Sequence, residues 1–113
     1  MGTVNQQLEQ PELVHPGADE IELPAVLHAL SDPQRLRIVR ELAASERPLS
    51  CGSIALDISK STRTHHFRVL REAGLIEQRR DGTCKLSTLR REDLDARFPG
   101  LLDAVLSADA VPA

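Results

Sequence analysis

Hydroxyl, imidazole and basic side chains are concentrated in the segment SKSTRTHHFR at residues 59–68. Such groups hydrogen-bond to the base edges and phosphate oxygens of duplex DNA; a guanidinium group can pair with guanine, and a hydroxyl group with bases or backbone. If Ser59 caps a helix, Phe67 and Leu70 face a core and the polar side chains face solvent. The side chains predicted to contact DNA from this helix are Lys60, Ser61, Thr62, Thr64, His65 and Arg68.

A second basic element follows this helix. Asp81-Gly82 lies between two short runs, and this dipeptide is favoured in two-residue hairpin turns whose central residues both have positive φ. The sequence therefore predicts a two-stranded hairpin over residues 75–89. Arg79 and Arg80 would lie near its tip, where they can contact the flanking backbone or the minor groove. Each of these residues alone is also typical of a solvated surface, but their combination with the preceding helix favours DNA binding.

Charge is unevenly distributed along the chain. The net charge is −3, yet residues 60–91 contain nine Lys and Arg against three Asp and Glu, a local excess of six positive charges. Residues 1–30 contain five acidic residues and no Lys or Arg, and residues 92–113 contain five acidic residues and one Arg. A segregated basic block is typical of a surface that binds a polyanion, whatever the sign of the net charge.

Apolar periodicity and capping signals predict the elements that position this block. Asp32 followed by Pro33 is typical of a helix start, because a carboxylate at the N-cap accepts backbone N–H bonds and proline suits the first turn. Gly74 is typical of a helix end, since glycine adopts the left-handed conformation there. The predicted helices cover residues 24–30, 33–45, 50–56 and 59–73, and a last amphipathic helix over residues 94–106 is interrupted or bent at Pro99-Gly100.

These elements predict a mainly α fold with a small two-stranded β-hairpin, in the order α-α-α-α-β-β-α of a winged helix-turn-helix protein. One domain is expected over residues 21–108, preceded by a flexible arm over residues 1–20 and followed by a tail over residues 109–113. A single domain of this size leaves much of its surface exposed. A partner subunit that covers part of this surface would therefore stabilise it.

The sequence also gives an expectation for location. It contains no apolar run of the roughly 18 to 20 residues that span a bilayer, and its acidic N-terminus lacks the apolar core of a secretory signal. Two cysteines, Cys51 and Cys84, are too few for a disulfide scaffold. We expect a cytoplasmic protein with no membrane partner.

The segment SKSTRTHHFRVLREAGLIEQRRDG closely resembles the recognition helix and wing of the ArsR/SmtB family of bacterial repressors, and ALSDPQRLRIVRELA resembles the family's second helix. The resemblance covers about residues 22–106. It implies a homodimer, paired through its N- and C-terminal helices, that binds an inverted-repeat operator and leaves it when a metal ion or another signal arrives. By position, Ser61, Thr64 and His65 match base-contacting residues of the family, and His66 matches a more structural one.

The family's effector sites are altered in this chain. Many members carry a Cys-x-Cys pair, which is reduced here to Cys51-Gly52-Ser53. Other members bind zinc through Asp and His residues of the last helix, but no histidine follows His66 in this chain. Carboxylates alone are poor substitutes for Cys or His in a tetrahedral zinc site. Neither of the family's familiar metal sites is therefore intact.

Three alternatives remain for the signal. One is a nickel or cobalt site formed across the dimer by His15 and His28, with Glu20 or Glu22 as a further candidate ligand. Cys51 is another candidate ligand for a transition metal such as nickel or zinc. Without a metal, His15 is a residue of the arm and His28 a residue of the helix surface. Cys51 and Cys84 could form a redox pair, or Cys51 could be a small buried apolar side chain. The third alternative is a small molecule, or an accessory protein in the absence of any effector.

The function class follows from what the chain has and lacks. It has no Gly-rich phosphate loop, nucleophile elbow or metalloprotease signature, so we do not expect an enzyme. We expect a sequence-specific, dimeric DNA-binding regulator of transcription that acts as a repressor, with nickel among its candidate signals. The alternative is a winged-helix interaction module that regulates through a partner protein. Salt-dependent binding to duplex DNA, which only the regulator should show, separates the two.

Overall fold

The computed structural model describes residues 13–108. The beginning of the predicted arm, up to residue 12, and the predicted tail at residues 109–113 lie outside the described residues. Two short 3-10 helices, Ala18–Glu20 and Cys51–Ser53, accompany the main elements. In chain order the main elements are α1 (Leu23–Leu30), α2 (Pro33–Ala44), β1 (Leu49–Ser50), α3 (Lys60–Ala73), β2 (Ile76–Asp81), β3 (Cys84–Leu89), α4 (Arg91–Arg97) and α5 (Leu101–Ala108).

The capping signals are confirmed at the starts of α2 and α3. The Asp32 carboxylate accepts hydrogen bonds from Gln34 N at 2.8 Å and Arg35 N at 3.2 Å. The Ser59 hydroxyl oxygen accepts one from Thr62 N at 3.2 Å. Each cap satisfies backbone donors that have no partner within the helix, which fixes where the helix begins.

Gly74 ends α3 and turns the chain toward the hairpin. Its φ of 90° lies in the left-handed region. Gly74 N and Leu75 N donate to the carbonyls of Arg71 at 3.1 Å and Leu70 at 3.0 Å, which is the pattern of a Schellman motif. A Cβ at this position would lie 2.6 Å from Cγ1 of Ile21. Glycine is therefore required here by both backbone conformation and space.

The helices and the sheet enclose one apolar core, and one side of α3 packs against it. Phe67 and Leu70 of α3 are buried, with exposed fractions of 3% and 0%. Because the chain has no Trp or Tyr, aliphatic side chains supply most of the remaining contacts. The largest fully buried aliphatic side chains are Ile21, Ile38, Ile54, Leu70, Leu75, Ile76, Leu94 and Leu102.

The predicted hairpin is confirmed, but its turn differs from the prediction. β2 and β3 are antiparallel, and Asp81 and Cys84 form their last pair. The central turn residues are therefore Gly82 and Thr83, and within the described chain no residue other than glycine has a positive φ. Gly82, with φ of 65°, stands first in the turn, as type II′ requires. Asp81 consequently stays in the strand.

The predicted helix over residues 50–56 is wrong, and the sheet has a third strand. Leu49 and Ser50 form β1, which pairs with β3 to give the strand order β1-β3-β2. Only Cys51–Ser53 is helical, as a single 3-10 turn. Pairing with a strand far along the chain competes with helix formation here, and a local apolar pattern does not reveal it.

The chain contacts the hairpin and α3 before residue 21, where the sequence predicts a flexible arm. Arg71 of α3 donates to Val14 O at 3.3 Å. His15 Nε2 accepts a hydrogen bond from Gln78 N at 2.9 Å, on the edge of β2 that β3 leaves unpaired. The packed part of the chain thus includes residues upstream of the predicted boundary.

Of the two predicted alternatives at Pro99-Gly100, the interruption is confirmed, because two separate helices form there. α4 ends at Arg97 and α5 begins at Leu101, and Gly100 between them has a φ of 85°. No helix formed by residues 13–108 has both the length and the apolar character needed to cross a membrane.

Candidate nucleic-acid interface

The side of α3 that faces away from the core is polar and basic. Its exposed side chains, which we call the outward face of α3, are Lys60, Ser61, Thr64, His65 and Arg68. These are residues that the sequence selects, and the helix brings them together on one continuous surface. No member of this set forms an ion pair with a carboxylate among residues 13–108. The outward face therefore carries positive charge that no carboxylate among residues 13–108 neutralises.

Thr62, also predicted to contact DNA, is exposed and takes part in the helix cap. Ser59 Oγ donates to Thr62 Oγ1 at 2.9 Å, in addition to accepting from the backbone of the same residue. Ser61 Oγ lies 3.3 Å from Ser59 Oγ. These contacts fix the first turn of α3 and place several hydroxyl groups at its exposed end.

Arg63 anchors the loop that leads into α3. Its Nη1 donates to the carbonyls of Cys51 at 3.0 Å and Ile54 at 2.8 Å, and its Nη2 to that of Leu56 at 3.4 Å. The sequence counts this arginine in the basic block but does not identify its structural role. No local pattern indicates that role, because the three carbonyls belong to a loop whose path depends on β1 and β3.

A buried polar cluster fastens the other side of α3 to α2. Arg35 donates to Ala29 O at 2.7 Å and contacts His66 Nδ1 at 3.1 Å, and His66 Nε2 lies 3.6 Å from the Asp32 carboxylate. Since a guanidinium group can only donate, His66 Nδ1 accepts and the imidazole is neutral. Burial and the Arg35 charge lower the pKa of His66, although the Asp32 charge opposes them.

Gln78 connects the hairpin to α3. Its Oε1 accepts a hydrogen bond from Arg71 Nη1 at 2.7 Å. Its Nε2 donates to Ser87 Oγ at 3.1 Å and to Cys51 Sγ at 3.5 Å. The side chain is 3% exposed, so these bonds satisfy a buried amide. They also couple the position of the hairpin to that of α3, a role that the sequence does not indicate.

The residues of the basic block differ in whether an acidic side chain pairs with them. Arg90 pairs with Asp93 at 3.0 Å and Arg91 pairs with Asp103 at 3.1 Å, so the acidic residues of α4 and α5 neutralise these two. The predicted hairpin arginines, Arg79 and Arg80, are exposed on β2. Within the basic block, the cations that the structure leaves exposed to solvent lie on α3 and the hairpin.

The candidate metal ligands do not form a metal centre within one chain. No group of three or more His, Cys, Asp or Glu among the described residues is placed to hold a metal ion. His15 uses its Nε2 to accept from Gln78 N, and His28 is exposed on α1. Burial raises the pKa of the Cys51 thiol, which disfavours the thiolate form that binds metals. Within one chain, the described candidate ligands therefore do not form a site of the family's kind.

Comparison with known proteins agrees with this geometry. A family model for a helix-turn-helix domain matches residues 30–79. The HTH-type transcriptional regulator YceK of Bacillus subtilis is 40% identical over 82 residues, which cover 71% of this chain and 82% of YceK. The transcriptional repressor SmtB homolog of Synechocystis is 33% identical over 79 residues, covering 66% of this chain and 60% of that protein. The chain belongs to the ArsR/SmtB family.

The structure of a regulator matches this fold over most of the chain. An ArsR-like transcriptional regulator from Rhodococcus sp. RHA1 superposes with a TM-score of 0.57 at 25% identity, covering 77% of this chain and 82% of that one. The relatives are named as regulators of transcription, not as enzymes. The predicted family and winged helix-turn-helix fold are confirmed, and the chain is a DNA-binding transcriptional regulator. The β2–β3 hairpin is the wing of this fold.

Proposed function

We propose that this regulator is a homodimeric repressor that binds an inverted-repeat operator through the outward face of α3. The observation that supports the proposal most directly is the face itself, on which five polar or basic side chains are exposed together. None of them is neutralised by a carboxylate among residues 13–108. An α-helix fits the major groove of B-DNA, where every base pair presents a distinct pattern of donors and acceptors.

The side chains of this face divide by chemistry. Ser61, Thr64 and His65 are short donors and acceptors, which suits them to base edges. Lys60 and Arg68 reach further and neutralise phosphates, and Arg68 can also pair with O6 and N7 of guanine. We therefore assign sequence discrimination mainly to the first three residues and affinity mainly to the two cations.

The wing and the first turn of α3 supply contacts that position the helix. Arg79 and Arg80 on β2 are assigned to the flanking backbone or the minor groove. The exposed hydroxyl group of Thr62 is assigned to a phosphate near the helix N-terminus. Such contacts fix register and orientation without carrying sequence information.

The outer helices carry the apolar surface that the proposed dimer would bury. Leu23 and Leu27 of α1 are 40% and 47% exposed. On α5, Leu101, Val105 and Leu106 are partly exposed. Pairing through α1 and α5 would remove these side chains from water and would place two copies of α3 about 34 Å apart, in successive major grooves.

Fluorescence anisotropy with DNA from upstream of the regulator's own gene tests this proposal. We expect tight binding that weakens steeply with salt, because phosphate contacts release counterions. Addition of Ni(II) or Zn(II) tests the metal signal, which would need ligands from both subunits, such as His15 and His28. A change in affinity supports such a signal, and indifference to both metals favours another ligand or an accessory protein. Failure to bind any duplex would contradict the proposal and favour the interaction module.

The dimer is tested separately by a change on α1. We expect Leu27→Glu to be monomeric in sedimentation and to lose most of its affinity for the inverted repeat, because a charge then occupies the apolar interface. Val14→Glu is the matched control, since Val14 is 73% exposed and lies outside α1 and α5. A dimeric Leu27→Glu protein would contradict the assigned interface.

A further inference from the structure

A cavity of about 640 Å³ lies between α3 and the wing. Its walls are α3, the turn at Cys51 and Gly52, and the wing tip at Cys84 and Lys85, and we call it the helix–wing cavity. The volume lies within the range of about 300–1,000 Å³ that is typical of small-molecule sites. It is larger than a single phosphate group needs.

The described lining of this cavity is cationic. None of its lining residues is acidic. Two of its arginines are held in place without losing their charge, because Arg63 donates to main-chain carbonyls and Arg71 to the Gln78 amide oxygen. An anion there would therefore meet several positive charges that no described carboxylate neutralises. The cationic lining residues are Lys60, Arg63, Arg68, Arg71 and Lys85.

Apolar and sulfur atoms complete the lining. The ring of Phe67 and the thiol groups of Cys51 and Cys84 border the same space. Burial raises the pKa of the half-buried Cys51 thiol, so its sulfur stays neutral and behaves as an apolar surface. These groups suit a hydrocarbon or aromatic body, which an inorganic anion lacks.

We propose that the helix–wing cavity binds a small organic anion with an apolar body, and that this ligand and DNA exclude each other. The exclusion rests on the proposed function, because Lys60, Thr64 and Arg68 line the cavity and also belong to the outward face of α3. A backbone phosphate of DNA is the other anion that these charges attract. The volume and the apolar lining favour the larger organic ligand.

A fluorescence titration of the full chain with anilinonaphthalene sulfonate, an aromatic anion, tests the site. We expect one saturable site per chain. Lys85→Gln is expected to weaken binding about tenfold, because it removes a charge-assisted contact. Arg37→Gln removes an exposed cation from α2, outside the cavity, and is expected to bind the probe like the parent.

Gly52→Leu tests the shape of the cavity independently of its charge. Gly52 lines the cavity, and a Cβ built there would meet no atom within 4 Å. A larger side chain therefore enters open space without strain. We expect Gly52→Leu to bind the probe more weakly than the parent does, although its charges are the same. Its thermal unfolding temperature is expected to equal that of the parent.

Four outcomes would contradict the proposal, three of them its ligand site and one its exclusion of DNA. Equal losses in Lys85→Gln and Arg37→Gln would show unspecific attraction, and unchanged affinity in Gly52→Leu would show that the probe binds elsewhere. In a competition experiment, inorganic phosphate is compared with a non-fluorescent aromatic sulfonate. Equal displacement of the probe by the two would show that only the charge is recognised. Duplex DNA is expected to displace the probe, and simultaneous binding would refute the exclusion. Because the titration itself needs no DNA, probe binding by a chain that fails to bind DNA would contradict only the proposed function.

Discussion

Arg63 and Arg68 lie on the same helix, and the structure uses them differently. Arg63 donates to the carbonyls of Cys51 and Ile54 and so holds the loop that precedes α3. Arg68 is exposed and has no ion pair or hydrogen bond among the described residues. The groups around each side chain, rather than its type, decide which arginine stabilises the fold and which remains available to a ligand.

The neighbouring histidines show the same contrast. His65 is exposed on the outward face of α3. His66 is 8% exposed and contacts Arg35 and Asp32 in the interior. Residues that are adjacent in the sequence therefore belong to two surfaces, one that fastens α3 to the domain and one that is left for DNA. Changes on each surface are expected to affect different measurements.

The largest effect is expected from Arg63→Gln. The substitution leaves the carbonyls of Cys51, Ile54 and Leu56 without their donor, so we expect the free energy of unfolding to fall by about 2–3 kcal/mol. Urea denaturation measures this change. Arg68→Gln is the matched control on the same helix, with an expected change within about 0.5 kcal/mol. Equal stability losses in the two variants would refute the division between them.

A smaller effect is expected when Arg68→Gln is tested for DNA binding. Loss of one cationic contact should cost about 1–2 kcal/mol of binding free energy and reduce the slope of log K against log salt by about one. Anisotropy titrations over a range of salt concentrations measure both. Arg37→Gln on α2 is expected to retain the parent's affinity. Parental affinity in Arg68→Gln at physiological salt would show that the outward face of α3 is wrongly assigned.

The smallest effect is expected in the pH dependence of stability. Burial lowers the pKa of His66 in the folded state, so the unfolded chain, with a histidine pKa of about 6.5, binds the proton more readily. Neutral His66 therefore contributes fully to the free energy of unfolding above about pH 6.5, and this contribution is lost as the pH falls below that value. We expect His66→Asn to flatten this part of the stability profile.

The exposed neighbour provides the control for that profile. His65→Asn also removes one imidazole from α3, but the side chain lies in solvent. We expect it to keep the parent's decline in stability below about pH 6.5. Asp32 titrates at lower pH, since the backbone hydrogen bonds from Arg35 and Gln34 and the Arg35 charge lower its pKa although burial opposes them. An unchanged profile in His66→Asn would contradict the neutral buried imidazole.

The sequence predicted those features that depend on nearby residues. The start of α2 at Pro33, the cap at Ser59 and the end of α3 at Gly74 are set by contacts within a few residues. The apolar spacing of Phe67 and Leu70 likewise placed the inner side of the helix. Because these determinants fix the orientation of α3, the members of its outward face could be selected before the fold was known.

Features that depend on distant residues were missed or misassigned. Residues 50–56 were predicted as a helix because the pairing of β1 with β3 is not visible locally. No local pattern indicates that Arg35 is buried, with the Ala29 carbonyl and His66 as its partners. Gln78 lies in a short strand whose alternation gives no indication that its amide contacts α3. In each case the structure of the segment, or the role of the side chain, depends on tertiary contacts.

The most direct test of the proposed recognition surface is selection of bound sequences from a randomised duplex library. We expect the parent to select an inverted repeat with half-sites one helical turn apart. Thr64→Ala and His65→Ala are expected to change the preferred base at defined positions, whereas Arg79→Gln should weaken binding to all sequences alike. Identical base preferences in the parent, Thr64→Ala and His65→Ala would contradict the claim that the outward face of α3 reads the operator.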